Sequence, residues 1–290
     1  MPRIDIRGST RLPATNKKQQ KDTKTMKTTI EFASPEDIIK IRESTPWTST
    51  RKPSYNDSLL RPEYALRKLR FPVGKTMIRI VPSIRPSIYD WMIGVQAISY
   101  KDGRHAHPRT LGAGKSVFDH AFSWLNTHKP GALFSKANRD GYRLLTDPIS
   151  VFWVIVEEDS KFVARLFVGS GYDGSRGGAQ GLGCQIYQMI KDLAGEANPL
   201  ADPVDPEEGV MLCVEKTQPA GVKYASYSLR LGNTPTPMSK LISLMAEEEV
   251  AALCPLENTI RILCEDEEWK RLEQIGINSE TISAIRSSIH

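Results

Sequence analysis

Two apolar runs separated by a short polar turn place the strongest constraint on how this chain folds. They lie in DPISVFWVIVEEDSKFVARLFVGS, residues 147–170, where EEDSK separates VFWVIV from FVARLFV. β-Branched and aromatic residues dominate both runs, and such runs joined by a short polar segment predict a β-hairpin. The middle of the chain is therefore expected to form an antiparallel strand pair.

Further strands and short helices are predicted on both sides of this hairpin. The other predicted strands are TMIRIVPSI (76–84), IYDWMIGVQAISY (88–100), and a last pair within 202–216 and 221–232. The predicted helices are 32–44, 116–131 with Ser116 as N-cap, 184–195, and segments of the acidic region 238–290. About six strands with only short helices between them favour a small barrel or twisted sheet over a βαβ array. We expect a mainly β, α+β protein, and a closed five-stranded OB-fold barrel fits this order of elements.

Charge is distributed unevenly along the chain, although the net charge is only +5. Residues 1–29 carry eight Lys and Arg against two Asp and Glu, and residues 42–143 carry eighteen against seven. Residues 240–290 carry five against ten. A basic front half followed by an acidic end predicts a polyanionic partner for the front half. Residues 1–29 are also polar and poor in aromatics, a composition that predicts disorder.

Composition predicts an intracellular, reduced protein. No apolar run approaches the roughly eighteen residues that a membrane span needs, and the N-terminal residues lack the apolar core of a signal peptide. The four cysteines lie far apart, without the C-x-x-C pairs of a zinc site or the density of a disulfide framework. We therefore expect a cytoplasmic protein that has reduced thiols and no membrane contact.

Several segments in order resemble one family, the helix-destabilising single-stranded DNA-binding proteins of the T-even phage type. The segments are YALRKLRFPVGKTMIRIVPS, VFWVIVEED with KFVARLFVGS, QIYQMIKDL, DPVDPEEGVMLCVEK and KYASYSLRL, which together span about residues 60–232. The resemblance implies an OB fold whose basic, aromatic cleft binds single strands without sequence preference. It also implies an N-terminal arm for self-association along DNA and an acidic C-terminal region that recruits replication or recombination proteins.

One feature of that family is missing from this sequence. Family members carry a cysteine-rich zinc subdomain after the second strand, whereas that interval here contains no cysteine. The resemblance divides the chain into a disordered basic arm (1–29), an OB-fold single-stranded DNA-binding core (30–237) and an acidic helical region for partner interaction (238–290). It implies a non-enzymatic protein that coats and protects single-stranded DNA during replication, recombination and repair, in the host cytoplasm if the chain is viral.

Candidate contact residues follow from what single-strand binding requires, namely cations that replace counterions and rings on which bases stack. Residues 42–143 interleave twelve aromatic residues with their eighteen Lys and Arg. Strand alternation separates Arg79 from Ile78 and Ile80, so we expect Arg79 to leave the core. For each single aromatic, a core role is as open as a stacking role. The predicted nucleic-acid-binding residues are Arg70, Lys75, Arg79, Trp91, Tyr100, Lys101, Arg104, His105, Arg109, Lys115, Tyr142, Arg143 and Arg165.

A nucleotide- or metal-dependent nucleic-acid enzyme is the alternative function. GAGKS (112–116) supplies the second half of a phosphate-binding loop, but Arg109 stands where the first glycine belongs, and the preceding segment is too polar for a buried strand. We therefore predict that this segment leads into an ordinary helix and that Lys115 meets the phosphates of a polymer. His105, His107 and His120 could hold a metal ion, although they lack a carboxylate pair; we predict no metal, cofactor or catalytic residue.

Overall fold

The computed structural model of this protein describes residues 30–32, 59–100, 103–134, 137–144, 146–171, 181–194, 202–222 and 225–289. The predicted basic arm, the predicted helix after residue 32, and Lys101 lie outside these residues. The strands are β1 (Gly74–Ile80), β2 (Ile93–Tyr100), β3 (Gly103–Ala106), β4 (Thr146–Glu158), β5 (Lys161–Ser170), β6 (Val210–Thr217) and β7 (Ser226–Pro235). The α-helices are α1 (Pro62–Ala65), α2 (Val117–His128), α3 (Leu182–Ala194), α4 (Met238–Ser243), α5 (Glu247–Ala252), α6 (Glu265–Ile275) and α7 (Ser279–Ile289).

The seven strands form one antiparallel sheet around β4. One edge of β4 pairs with β5 from Ile149↔Ser170 to Glu158↔Lys161. The other edge is shared, because β2 pairs with the first half of β4 and β1 pairs with the second half. The strand order is β3-β2-β4-β1-β6-β7, with β5 attached to β4 off this path. The α+β class is therefore confirmed, whereas the strands form an open sheet and not the closed barrel that we expected.

The predicted hairpin is confirmed, and its turn explains why it forms. Strands β4 and β5 are joined by Asp159 and Ser160, whose φ angles are 48° and 61°. Two consecutive residues with positive φ define the tight turn whose twist matches that of the flanking strands, and aspartate tolerates this conformation better than most residues. The polar EEDSK segment thus supplies the turn between two apolar strands.

Helices cover both faces of the sheet, which explains why β4 is apolar at consecutive positions. On one face, Trp153 and Ile155 pack in a cluster with Met238, Leu241 and other residues that follow β7. On the opposite face, neighbouring β4 residues pack with β1 and with α3 in a second cluster, which includes Phe152, Val154, Ile78, Ile80, Ile186 and Ile190. The central strands therefore have no solvent-facing side along much of their length.

A third apolar cluster lies beside the β2 end of the sheet. Helices α2, α6 and α7 contribute Phe118, Leu125, Trp269, Leu272 and Ile285 to it, and β2 contributes Ile98. The predicted helical character of residues 238–290 is thus confirmed, and the helices pack against the rest of the chain in two clusters. No helix in the described part of the chain is long and apolar enough to span a membrane.

Candidate nucleic-acid interface

Arg79 does not leave the core, so this part of the sequence prediction is wrong. Alternation does place Arg79 on the face opposite Ile78 and Ile80, but that face is covered, and Arg79 has no exposed surface. The segment 202–209 and the residues that follow β7 lie over Arg79. Both are more than a hundred residues further along the chain. Arg79 therefore cannot contact a nucleic acid in this structure.

The Arg79 guanidinium holds four backbone carbonyl groups. It donates to the oxygens of Thr236 (3.1 Å) and Ile80 (2.9 Å), and also to those of Pro203 and Asp205. Burial lowers the pKa of Arg79 to about 10, while Asp205 and Asp202 act in the opposite direction. We refer to Arg79 with these four carbonyls as the arginine clamp, which fastens the loop before β6 onto β1.

Three more predicted contacts are buried. Trp91 is 3% exposed, and its ring packs edge-on against Phe152 at 5.1 Å between centroids. Arg104 is 1% exposed, and His105 has no exposed surface and lies 4.8 Å from the Phe118 ring. Burial lowers the pKa of His105 to about 3, so this imidazole stays neutral at physiological pH. The prediction that these side chains touch a bound strand is not supported by their positions.

The remaining predicted residues differ in exposure. Five cations are exposed, namely Arg70, Lys75, Arg109, Lys115 and Arg143. Two residues, Tyr142 and Arg165, are half-buried, and Arg165 already pairs with the carboxylates of Glu158 (2.5 Å) and Glu249 (3.6 Å). Tyr100 ends β2, but its side chain, like Lys101, lies outside what the structure describes.

Three of the exposed cations lie toward opposite ends of β4. Lys75 lies near the β4–β5 turn, three residues before the Ile78↔Val156 pair. Arg109 and Lys115 follow β3. The last residue of β3, Ala106, pairs with Ala97 of β2, and Ala97 pairs with Asp147 at the beginning of β4. β4 has thirteen residues, so its two ends are separated by about 40 Å. These cations do not converge on one compact cleft.

The GAGKS segment leads into α2, as predicted, and its helix terminus is already occupied. Ser116 is the N-cap and forms a capping box with Asp119. The first helical N–H, that of Val117, donates to Glu268 Oε2 at 2.9 Å. A phosphate bound at a helix N-terminus would need such N–H groups. Because a carboxylate from α6 fills this position, the segment is not arranged as a nucleotide-binding loop.

His107, Ser116 and Asp119 meet in this region without forming a catalytic triad. The Arg109 N–H donates to His107 Nδ1 at 3.1 Å, so Nδ1 accepts and the neutral ring carries its proton on Nε2. That same Nε2 faces both Ser116 Oγ (3.1 Å) and Asp119 Oδ1 (3.4 Å). A triad needs an unprotonated Nε2 facing the serine and a carboxylate at Nδ1. The group is a buried cap for α2.

The histidines do not come together as metal ligands. Burial lowers the pKa of both His105 and His107, whereas His120 is half-buried on α2. Within the described ranges, no group of three or more His, Cys, Asp or Glu side chains is arranged to hold a metal ion.

Surface charge is the property that best marks a candidate interface. Between residues 59 and 144, the exposed basic residues of the described structure are Arg61, Arg70, Lys75, Arg85, Arg109, Lys115, Lys129, Arg139 and Arg143. Among the described residues of the same segment, the exposed acidic ones are Glu63 and Asp140. The basic half of the sequence is therefore basic at its surface too, because Asp90 is buried and Asp119 is half-buried in an ion pair with Arg109.

Sequence reasoning missed the aromatic members of this surface. On α2, the Trp124 and His128 rings are stacked, with centroids 4.5 Å apart and planes at 17°. In the segment after α2, the Arg143 guanidinium lies over the Phe134 ring at 4.2 Å. The first pair has a sequence signal, since residues four apart share one helix face. The second pair depends on a bridge between Leu133 and Tyr142 that brings the two ends of the segment together.

Comparison with known proteins identifies no relative of this chain. No protein-family model matches it. Searches of curated proteins and of solved structures give no match either. The resemblance to single-stranded DNA-binding proteins of the T-even phage type therefore stays a prediction from sequence motifs.

Proposed function

We propose that this protein binds single-stranded DNA through its basic half, without sequence preference and without enzymatic turnover. The observation that carries the proposal is the ratio of nine exposed basic residues to two exposed acidic ones in the described part of 59–144. Cations on the surface replace counterions along a phosphate backbone and supply most of the affinity of sequence-independent binding. A surface of one sign also speeds association with a polyanion.

Separation of the cations along β4 suits a linear ligand better than a small one. A mononucleotide is too small to touch both Lys75 and Lys115, which lie toward opposite ends of the thirteen-residue strand β4. A single strand that runs along the sheet could reach both ends, and single-strand binding modules occupy about 4–16 nucleotides. The length of the site thus favours a polymer over the nucleotide substrate of the alternative, enzymatic function.

The rest of the proposed function follows the resemblance. We keep the OB-type fold as part of the proposal, in an open form, because β1 and β2 pair with different halves of one edge of β4. The proposal includes self-association along DNA through residues 1–29 and recruitment of replication or recombination proteins through the acidic region. Coating and protecting single strands in the cytoplasm is the role that these properties would serve.

A competition titration tests this function. Fluorescence anisotropy of a labelled oligo(dT) is followed as the full-length protein is added, with unlabelled single-stranded and duplex DNA of equal length as competitors. We expect the single strand to compete at a lower concentration than the duplex. The double variant Lys75→Glu/Lys115→Glu should weaken binding, because both exposed charges are reversed, while Glu63→Gln serves as a surface control. Equal competition by duplex DNA, or a complete absence of binding, would contradict the proposal.

A further inference from the structure

His128 forms an exposed platform at the C-terminal end of α2. Its Nδ1 lies 2.9 Å from the backbone oxygen of Trp124. Because a carbonyl oxygen only accepts, Nδ1 carries the proton and donates, which fixes the tautomer and the ring orientation. One face of the imidazole rests on the half-buried Trp124 ring, and His128 itself is exposed. The imidazole is therefore held parallel to the Trp124 ring and is accessible to solvent.

Arg143 forms a second platform of the same kind. Its guanidinium carbon lies over the half-buried Phe134 ring, 4.2 Å from the centroid, and the residue is exposed. The two platforms belong to one stretch of chain, because the Phe134 N–H donates to the Tyr142 oxygen at 3.0 Å beside Arg143. Lys129, next to His128, adds an exposed charge whose Nζ lies 5.8 Å from the Trp124 ring centroid.

We propose that His128 and Arg143 each stack an unpaired nucleobase, which places the bases of a bound strand at the C-terminal end of α2 and beside Phe134. This inference rests on the proposed single-strand binding. Imidazole rings and guanidinium planes are both surfaces on which splayed bases stack. A duplex keeps its bases stacked on one another, so these platforms would favour single strands, whereas surface charge alone attracts either form.

The order already present in these platforms supports a binding role. A side chain that must be immobilised on binding costs affinity, and a platform already fixed by its support avoids much of that cost. His128 is fixed by one hydrogen bond and one ring contact, and Arg143 is oriented by Phe134. Nearby Lys129 also donates from Nζ to Thr281 Oγ1 at 3.0 Å, which holds this cation beside the first platform.

Two substitutions separate stacking from simple charge attraction. His128→Ala removes the first platform, and Arg143→Lys keeps a positive charge but removes the plane. We expect each to weaken oligo(dT) binding by roughly 5- to 150-fold, the range of a lost base-stacking contact. Thr127→Ala changes an exposed neighbour that has neither ring nor charge, and we expect it to bind as the wild type does.

An abasic ligand identifies the partner of the platforms. An oligonucleotide that retains its phosphates but lacks bases should bind the wild type more weakly than oligo(dT), and His128→Ala should not weaken its binding further. Wild-type affinity for oligo(dT) in both His128→Ala and Arg143→Lys would overturn the stacking proposal while leaving single-strand binding intact. Equal losses on the abasic and the normal ligand would also overturn it, because they would show a phosphate contact. If the wild type binds no single strand, both proposals fail.

Discussion

The arginine clamp yields a prediction about stability that separates the structural role of Arg79 from the DNA contact expected from sequence. Arg79→Met keeps much of the side-chain volume but removes all donors to the four carbonyl groups. Hydrogen bonds from a charged donor contribute about 1.5–3 kcal/mol each, so four represent roughly 6–12 kcal/mol. Removing the charge also removes the net cost of keeping it here, roughly 3 kcal/mol from the fall of the pKa to about 10, in which burial outweighs the attraction of Asp205 and Asp202.

The difference predicts that Arg79→Met lowers the free energy of unfolding by at least about 3 kcal/mol. A loss of this size is large against the roughly 5–15 kcal/mol that stabilises most proteins. Urea unfolding followed by circular dichroism measures it directly. Lys75→Met is the matched control, since Lys75 lies on the same face of β1 but is exposed, and its substitution should change stability by less than about 0.5 kcal/mol.

Two results would refute this reasoning about Arg79. If Arg79→Met unfolds at the same urea concentration as the wild type, the clamp contributes nothing and its hydrogen bonds are not formed in solution. If Arg79→Met keeps wild-type stability but loses DNA binding, Arg79 contacts the strand after all. We expect instead a destabilised variant whose DNA affinity, measured where it is still folded, is unchanged.

Three further predictions concern stability. Burial raises the pKa of Glu268 to about 7, so the stability that this residue contributes is present below about pH 4.5 and is lost as the pH rises to 7. Glu268→Gln should therefore reduce the fall of the urea midpoint between these pH values. A pH profile identical to that of the wild type would contradict this prediction. Truncation after Pro237 removes helices that fill two apolar clusters, so the product should lack a cooperative thermal transition, and a sharp wild-type-like transition would show that the helices are dispensable. Gly209→Ala should lower the urea midpoint, because a Cβ there would meet the Arg79 guanidinium and the Asp205 oxygen; an unchanged midpoint would show that the loop yields without cost.

Local patterns predicted the elements that local chemistry determines. The β4–β5 hairpin follows from two apolar runs and a turn-forming segment, and α2 begins at Ser116 because a serine side chain caps Asp119 N–H. Helices in the acidic C-terminal region were also predicted, since their apolar residues recur at helical spacing. Each of these features depends on residues close together in the chain.

Features that depend on contacts between residues far apart in the chain could not be predicted from local sequence patterns. Strand alternation correctly predicted the face of β1 on which Arg79 lies. It could not predict that this face is buried, because Pro203 and Thr236, which contact Arg79, are 124 and 157 positions later in the chain. The carboxylate that occupies the N-terminus of α2 belongs to Glu268, 151 residues after Val117. Closure of the sheet likewise depends on which strand edges meet, and no local pattern distinguishes an open sheet from a barrel. The Trp124–His128 pair, in contrast, lies four residues apart and was detectable from sequence.

The salt dependence of oligo(dT) binding tests the proposed function most directly. Each phosphate neutralised on a single strand contributes about −0.7 to the slope of log K against log salt concentration. If about four of the exposed cations of residues 59–144 contact the backbone, the slope is about −3, and single strands bind more tightly than duplex DNA of equal length. A slope near zero, or tighter binding to the duplex, would contradict the account.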